Sequence, residues 1–181
     1  DKKVGVTILK IVQKADAGDI ISQKEIDIKK DETYFEIERR LDEIGKDLLI
    51  KTISLWLQGK IIPKAQDESQ VTMAKFFKTE DGKIDWDENI EVISRKIRAL
   101  NPSPGTFTFI DGKRILILES KAESQKHTLA LGTVVRDSSG FKIAAQDGYI
   151  VPTRVKLEGR KELKAADFLR GFKNLIGKSL G

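Results

Sequence analysis

The chain offers three kinds of side chain that could carry chemistry: a carboxylate in a turn, one imidazole and a group of basic residues. The carboxylate is Asp16, in the turn Lys14–Asp19. A carboxylate there can orient a proton-transfer partner, or it can cap backbone N–H groups of its own turn. The residues alone favour the capping role, and Asp19 is treated as an ordinary turn residue.

The imidazole belongs to His127, the single histidine of a chain that has no cysteine. This composition excludes thiolate chemistry, a disulfide framework and a histidine-rich metal site, so we expect no metal. His127 lies in the polar segment Lys121–Thr128 between two predicted strands. That setting is typical of a solvated loop histidine rather than of a catalyst or a metal ligand.

The basic residues are concentrated in the last third of the chain. Residues 1–120 carry a net charge of −1, whereas residues 121–181 carry +6. The asymmetry favours a polyanion as partner, although lysines kept for solubility would give the same charge. The binding candidates are Arg154, Lys156, Arg160, Lys161, Lys164, Arg170 and Lys173.

Composition places the chain among globular proteins. Its 181 residues suit one large or two small domains, and 39% hydrophobic with 34% charged residues is typical of a soluble fold. No apolar run reaches the length of a membrane span, and no basic-then-apolar leader opens the sequence. We therefore expect a cytoplasmic, monomeric protein without a membrane partner.

The turn that carries Asp16 lies between two predicted strands, Gly5–Val12 and Ile20–Ile28, which are rich in β-branched and apolar residues. Within the turn, Gly18 is the residue expected to adopt positive φ, because it has no Cβ. The turn with Asp16 is therefore predicted to join two consecutive strands.

A long helix is predicted after the second strand, from an N-cap within Asp31–Thr33 to about Gln58-Gly59. Its apolar face is widened by Leu49, Ile53 and Trp56, and two strands alone cannot cover such a face. We therefore predict that residues 1–60 are the last part of a larger α/β domain whose first part is missing from this chain.

Residues 61–82 are predicted to be a linker, because Pro63 and a polar run lack clear periodicity. Phe76 and Phe77 are expected to hold this linker against a domain surface. No repeat at a fixed period is visible in the chain.

A second helix is predicted within Lys83–Phe109, capped by Asp85 or Asp87. Asn101-Pro102 ends it, because proline lacks an N–H and restricts the residue before it. Trp86, in the turn ahead of the helix, is expected to pack into the core. Four apolar residues recur on one helix face: Ile90, Ile93, Ile97 and Leu100.

The remaining residues are predicted to be all-β. Turn signals separate five short strands, and Asp111-Gly112 is a hairpin signal. Five antiparallel strands within about 60 residues suit a small barrel. The predicted strands are Thr106–Ile110, Arg114–Ser120, Gly132–Arg136, Phe141–Gln146 and Tyr149–Leu157.

Motifs along nearly the whole chain resemble those of methionyl-tRNA formyltransferases. The motif Gln66–Ser69 stands at a matching position, as does the closing segment Ala165–Gly171. The chain departs from the pattern at Met73, Ser103 and Lys164, where the family commonly has Tyr, Trp and Ser or Thr. Further matches are Glu80-Asp81-Gly82, Ile84-Asp85-Trp86, Ile97-Arg98-Ala99, Asn101-Pro102, Pro104-Gly105 and Thr108.

The resemblance implies a fold of α/β plus all-β type. Residues 1–60 would belong to a truncated, Rossmann-like formyltransferase domain, and residues 61–82 would form a linker. Residues 83–181 would form a small OB-like antiparallel β-barrel that binds tRNA. The implied reaction, in translation initiation, is transfer of a formyl group from 10-formyltetrahydrofolate to the amino group of initiator methionyl-tRNA.

The resemblance also implies a catalytic trio: the Asn and His of an N-x-H motif, and the Asp of a D-x-G loop. Only the last carries over, because Asp16-Ala17-Gly18 matches the loop and assigns the catalytic role to Asp16. The N-x-H motif has no counterpart in this chain and is expected upstream. The chain alone is therefore predicted to be inactive.

Two alternative functions remain open from the sequence. A formyltransferase acting on another amine, such as an amino sugar nucleotide, would share the architecture. A non-catalytic RNA-binding module would share the basic end. The basic residues and the closing segment AADFLRG favour tRNA, and an N-x-H motif in a longer reading frame would identify an enzyme.

Overall fold

A computed structural model describes residues 1–172 and 174–181, and the chain divides into two compact units, Asp1–Lys75 and Phe76–Gly181. The first unit contains an antiparallel pair of strands, β1 (Lys3–Leu9) and β2 (Ile20–Asp27), and the helix α1 (Tyr34–Leu57). The second unit contains the remaining strands and two shorter helices.

In the first unit, α1 packs on the hairpin through small and polar residues. A Cβ at Gly45 would lie 3.5 Å from a methyl group of Val6, so the helix and β1 approach closely there. Thr52 is 3% exposed, and its hydroxyl lies 2.6 Å from that of Ser22 and donates to the Leu48 carbonyl at 2.6 Å. These contacts position the hairpin, and with it the turn that follows β1.

The predicted ends of α1 are confirmed. Thr33 is the N-cap, with its hydroxyl accepting from the Glu36 amide while the Glu36 carboxylate accepts from the Thr33 amide. This reciprocal capping box satisfies two of the backbone donors that a helix start leaves without partners. Gly59 follows the helix with φ of 67°, as expected for a C′ glycine.

The wide apolar face of α1 is exposed in this chain. Ile50 is 71% exposed, Ile53 49% and Leu57 80%, and Leu49 and Trp56 are also more than a third exposed.

Phe76 and Phe77 are 98% and 67% exposed, so the prediction that they hold the linker against a domain surface is wrong for this chain.

The second unit is a curled antiparallel sheet with two helices. The helices are α2 (Ile90–Leu100) and α3 (Ala165–Gly171). The strands are β3 (Phe107–Ile110), β4 (Lys113–Glu123), β5 (Val134–Asp137), β6 (Gly140–Ala145), β7 (Gly148–Leu157) and β8 (Glu162–Lys164). They are ordered β3-β4-β7-β6-β5 in the sheet, and β8 pairs with β7.

The end of the chain connects the two edge strands of this sheet. At β5, the Val134 amide donates to the Lys178 carbonyl at 2.9 Å, and the Gly177 amide donates to the Val134 carbonyl at 2.8 Å. At β3, the Gly181 amide donates to the Phe109 carbonyl at 3.2 Å. The final residues therefore supply backbone partners to both edges, which would otherwise present unpaired groups.

The core of the second unit lies between α2 and the sheet, as the apolar stripe predicted. Ile93 is fully buried and Ile97 is 1% exposed, while Val134, Ile143 and Ile150 of the sheet are fully buried. Trp86 is confirmed as a packing residue, because it is 5% exposed and belongs to the same core. Its indole N–H donates to the Thr108 hydroxyl at 3.3 Å.

The cap of α2 differs from the prediction. Asn89 is the N-cap, and its side chain accepts from the Val92 amide at 3.2 Å. The Asp147 carboxylate accepts from the Ile90 amide at 2.8 Å, a partner 57 residues away that local sequence does not reveal. Neither Asp85 nor Asp87 caps the helix, and the Asp85 carboxylate accepts from the Asp87 amide instead.

The predicted strands all exist, with shifted ends and one addition. The described residues of the second unit form six strands rather than five, because the polar stretch Glu162–Lys164 pairs with β7. The hairpin between β3 and β4 turns at Asp111 and Gly112, with φ of 49° and 73° as a type I′ turn requires. α3 begins at Ala165 without a side-chain cap from Lys164, as expected.

We expect the two units to differ in hydrogen exchange. The fully described strands β1 and β2 contain no buried residue, whereas five of the six residues of β6 are buried. Amides of β6 and β7 should therefore exchange with the free energy of global unfolding, and those of β1 and β2 should exchange through smaller local openings. Equal protection of both pairs of strands would contradict this expectation, and exchange followed by NMR measures it.

Candidate active-site loop and basic hairpin

Asp16 lies in the loop between β1 and β2, with its side chain exposed and its backbone in the left-handed region at φ of 55°. Aspartate is one of the few residues other than glycine that adopts this conformation at modest cost. The prediction that Gly18 takes positive φ is wrong. Gly18 is required because a Cβ there would lie 1.7 Å from the Lys10 carbonyl oxygen.

The loop is held by a residue that the sequence assigned to the linker. The side-chain amide of Gln66 donates to the backbone carbonyls of Asp16 and Gly18, at 2.8 Å in each case. An antiparallel bridge beside it joins Ile20 and Lys64 through two backbone hydrogen bonds of 2.8 and 2.9 Å. The start of the predicted linker is therefore part of the loop's own structure in the first unit.

The next two residues of the same motif anchor Gln66. The Asp67 carboxylate accepts from the Ser69 hydroxyl at 2.6 Å and from the Ser69 amide at 3.0 Å, which starts a short 3₁₀ turn. Both hydrogen bonds hold the pKa of Asp67 below its usual value, and the one from the Ser69 hydroxyl has the larger effect. The Glu68 carboxylate lies 3.4 Å from the Lys14 ammonium, an exposed pair across the loop.

The geometry gives Asp16 one chemical use. An exposed carboxylate on a loop fixed at its carbonyls can accept a hydrogen bond from an imidazole and favour its charged form. The one imidazole of this chain, that of His127, is engaged with the Ala145 and Gly148 carbonyls.

His127 is a structural residue, so the prediction of a solvated loop histidine is wrong. Its Nε2 lies 2.8 Å from the Ala145 carbonyl oxygen and 3.1 Å from that of Gly148. Its ring centroid lies 4.8 Å from that of Tyr149. Within the described residues, its Nδ1 is buried without a hydrogen-bond partner. The imidazole thus connects its segment to the turn between β6 and β7.

Five of the predicted basic residues belong to the hairpin of β7 and β8, which we call the basic hairpin (residues 154–164). Arg154 lies opposite Lys164 in the register, and both side chains are exposed beside the buried Val155. Arg160 and Lys161 lie in the turn, where Gly159 has φ of 71°. The structure therefore gathers Arg154, Lys156, Arg160, Lys161 and Lys164 onto one exposed element.

Ion pairs divide the basic set. Arg154 pairs with Glu162 and lies 3.9 Å from Glu119, and Arg170 pairs with Asp167. The other four described members of the set are Lys156, Arg160, Lys161 and Lys164. None of these four forms an ion pair within 4.0 Å with another described residue. Lys173 lies outside the described residues.

The described part of the chain contains no helix that is long and apolar enough to cross a bilayer. Across residues 1–172 and 174–181, no group of three or more His, Cys, Asp or Glu side chains is arranged to hold a metal ion.

Family comparisons identify two regions. The model of the formyl transferase C-terminal domain matches residues 77–173, and the formyl transferase model matches residues 1–53. A methionyl-tRNA formyltransferase of Bacillus cereus (strain AH187) is 36% identical over 182 residues, covering 99% of this chain and 58% of the relative. The chain thus spans little more than half the length of the curated relatives it matches.

Solved structures of similar fold include HypX and an N-formyltransferase. HypX from Aquifex aeolicus in complex with tetrahydrofolic acid has a TM-score of 0.75 at 21% identity, over 97% of this chain and 31% of that one. An N-formyltransferase from Helicobacter canadensis, solved with folinic acid and dTDP-3-aminofucose, has a TM-score of 0.62 at 19% identity. The matched region covers 84% of this chain and 56% of the Helicobacter canadensis chain.

Proposed function

Because this chain belongs to the formyl transferase family, we propose that it is part of a methionyl-tRNA formyltransferase. The whole protein would transfer a formyl group from a 10-formyltetrahydrofolate donor to the amino group of initiator methionyl-tRNA. In that reaction the Asp16 carboxylate would orient the catalytic imidazole and favour its protonated form. The folate donor is supported by the tetrahydrofolate and folinic acid present in the two related structures.

The observation that carries the proposal is the D-x-G loop together with the segment that holds it. Asp16 lies on a loop fixed at two carbonyls by Gln66, and Gln66 belongs to a motif that the resemblance places in methionyl-tRNA formyltransferases. The chain shares 36% identity with a relative of that name over its own length.

The proposal assigns roles to three regions. Residues 1–60 would contribute the end of a Rossmann-like catalytic domain, and residues 83–181 would form an OB-like barrel that binds tRNA. Residues 61–82 would link the two, with the part around Lys64 and Gln66 held on the Asp16 loop. The basic hairpin supports the last assignment, because its four basic side chains outside ion pairs could contact phosphates. The protein would be a cytoplasmic monomer acting in translation initiation.

One alternative substrate has a specific observation in its favour. The Helicobacter canadensis neighbour was solved with an amino sugar nucleotide, so the same fold accommodates a small amine in that protein. A sugar nucleotide carries two phosphates, whereas tRNA presents a continuous row of them. Clustering of Arg160, Lys161, Lys164 and Lys156 on an exposed hairpin suits the longer polyanion better. A non-catalytic RNA-binding module would use the hairpin but leave Asp16 unused.

Binding to this chain separates the two substrates. We expect methionyl-tRNA to bind, with affinity that falls as salt rises, and dTDP-3-aminofucose not to compete with it. Fluorescence anisotropy of end-labelled tRNA, with the sugar nucleotide as competitor, measures both quantities. Binding of the sugar nucleotide without any binding of tRNA would favour the alternative, and binding of neither would contradict the proposed role of the hairpin.

A further inference from the structure

Gln66 binds two backbone carbonyls of the Asp16 loop with one side-chain amide. Both of its hydrogen bonds run from Nε2 to backbone carbonyls two residues apart, Asp16 and Gly18, and each is 2.8 Å long. One NH₂ group has two protons, so the two carbonyls use its whole donor capacity. The side chain is half-buried against the loop rather than extended into solvent.

The loop needs such a partner. The backbone of Asp16 is in the left-handed region, and Gly18 is packed so closely on the Lys10 carbonyl that no side chain fits. Within the loop, the Lys10 amide donates to the Asp19 carbonyl at 3.0 Å, and the bond from the Ala17 amide to the Lys14 carbonyl is a long 3.5 Å. The carbonyls of Asp16 and Gly18 point to Gln66.

We propose that Gln66 is a positioning residue for the Asp16 carboxylate. By fixing the carbonyls on both sides of Ala17, it sets the plane of the two peptide groups and thereby the direction of the Asp16 side chain. The catalytic consequence rests on the function proposed above, whereas the effect on the loop does not. No sequence pattern assigns Gln66 this role, because it lies 50 residues after Asp16 in a predicted linker.

The neighbours of Gln66 fix it in turn. The Ile20–Lys64 bridge holds the backbone two residues before it, and the Asp67–Ser69 turn holds the backbone immediately after it. The Gln66 side chain is therefore presented from a rigid position. A donor held at both ends of its own segment restricts the loop more than a mobile surface glutamine would.

Gln66→Glu tests the proposal with almost no change in shape. The carboxylate has no proton to donate at neutral pH, and it places negative charge against two carbonyl oxygens. Gln66→Met removes both donors without adding charge, so it keeps the test valid if the carboxylate prevents folding. Gln70→Glu is the matched control, because Gln70 is exposed four residues later in the same segment.

The first measurement uses this chain. NMR hydrogen exchange reports the Lys10 amide, whose bond to Asp19 closes the base of the loop. Gln66→Glu and Gln66→Met should raise its exchange rate about tenfold or more while the urea midpoint of the second unit stays unchanged, and Gln70→Glu should behave as wild type. Unchanged exchange in both Gln66 variants would overturn the proposal, whatever their activity.

The second measurement uses a hybrid that joins to Asp1 the upstream segment with the N-x-H motif that the resemblance implies, taken from the Bacillus cereus relative. In an active hybrid, both Gln66 variants should lower kcat about tenfold or more and leave KM for methionyl-tRNA unchanged, because only the transition state uses the direction of the carboxylate. A loosened loop with unchanged kcat would overturn the positioning role. An inactive parent hybrid would contradict the proposed function instead, and the exchange measurement alone would then decide the effect on the loop.

Discussion

Asp16→Asn should lower formyl transfer by about 100-fold or more in the hybrid enzyme, because loss of an acid–base partner typically costs that much. Asparagine keeps the size of the side chain and tolerates the left-handed backbone found at Asp16, so the loop should still fold. What it loses is the negative charge that would favour the charged form of the catalytic imidazole. The effect should appear in kcat rather than in KM.

Asp19→Asn is the matched control for this experiment. It makes the same chemical change three positions along the same loop, at a residue whose backbone carbonyl, rather than its carboxylate, accepts from Lys10. Single-turnover rates with a saturating folate donor would compare the two variants directly. An Asp16→Asn enzyme with the wild-type rate would remove the catalytic role, and equal losses in both variants would indicate a general effect on the loop.

Reversal of charge in the basic hairpin should cause the largest change in tRNA affinity. Arg160, Lys161 and Lys164 are exposed and form no ion pairs within 4.0 Å among the described residues, so their charges are available to phosphates. With about 3–5 phosphates neutralised, log K should fall against log salt with a slope of about −0.7 to −0.9 per contact. Changing all three residues to Glu should flatten that slope by about one unit per lost contact.

The loss should be similar for every tRNA tested, because phosphate contacts carry little sequence information. The control reverses three exposed lysines of the first unit, Lys24, Lys46 and Lys51, with the same change in net charge. A salt titration of the full 181-residue chain would separate the two variants. Equal weakening by both would indicate an effect of net charge alone, and unchanged binding by the hairpin variant would contradict the proposed interface.

Sequence reasoning was most successful where neighbours along the chain decide the structure. The N-cap of α1, predicted within Asp31–Thr33 and found at Thr33, and the Asp111-Gly112 turn depend on residues a few positions apart. The stripe from Ile90 to Leu100 was confirmed for a similar reason, since helical spacing alone defines the buried face.

The errors concern partners that are distant in sequence. Asp147 caps the start of α2 from 57 residues away, and His127 binds carbonyls 18 and 21 residues further on. Every residue carries the same backbone carbonyl group, so a sequence does not show which carbonyl a given side chain will bind. For the same reason the sequence did not show that Gln66 binds the carbonyls of the Asp16 loop, although its motif Gln66–Ser69 matches the family pattern.

The candidate site was only partly predictable for the same reason. The D-x-G pattern and the cluster of basic residues could be read from the sequence, but their surroundings could not. Ion pairing separates Arg154 and Arg170 from their four described neighbours, and it depends on Glu119, Glu162 and Asp167 meeting them in space. Similarly, the sequence indicated Gly18 for its freedom to adopt positive φ, whereas the structure requires glycine there because a Cβ would meet the Lys10 carbonyl.

The most direct test is the transfer of a radiolabelled formyl group from 10-formyltetrahydrofolate to methionyl-tRNA. It should be measured with the 181-residue chain and with the hybrid side by side. We predict transfer by the hybrid, and none by the chain alone, because the N-x-H motif that the resemblance implies has no counterpart in its 181 residues. Turnover by the chain alone, or a folded hybrid that binds tRNA but transfers no formyl group, would contradict the account.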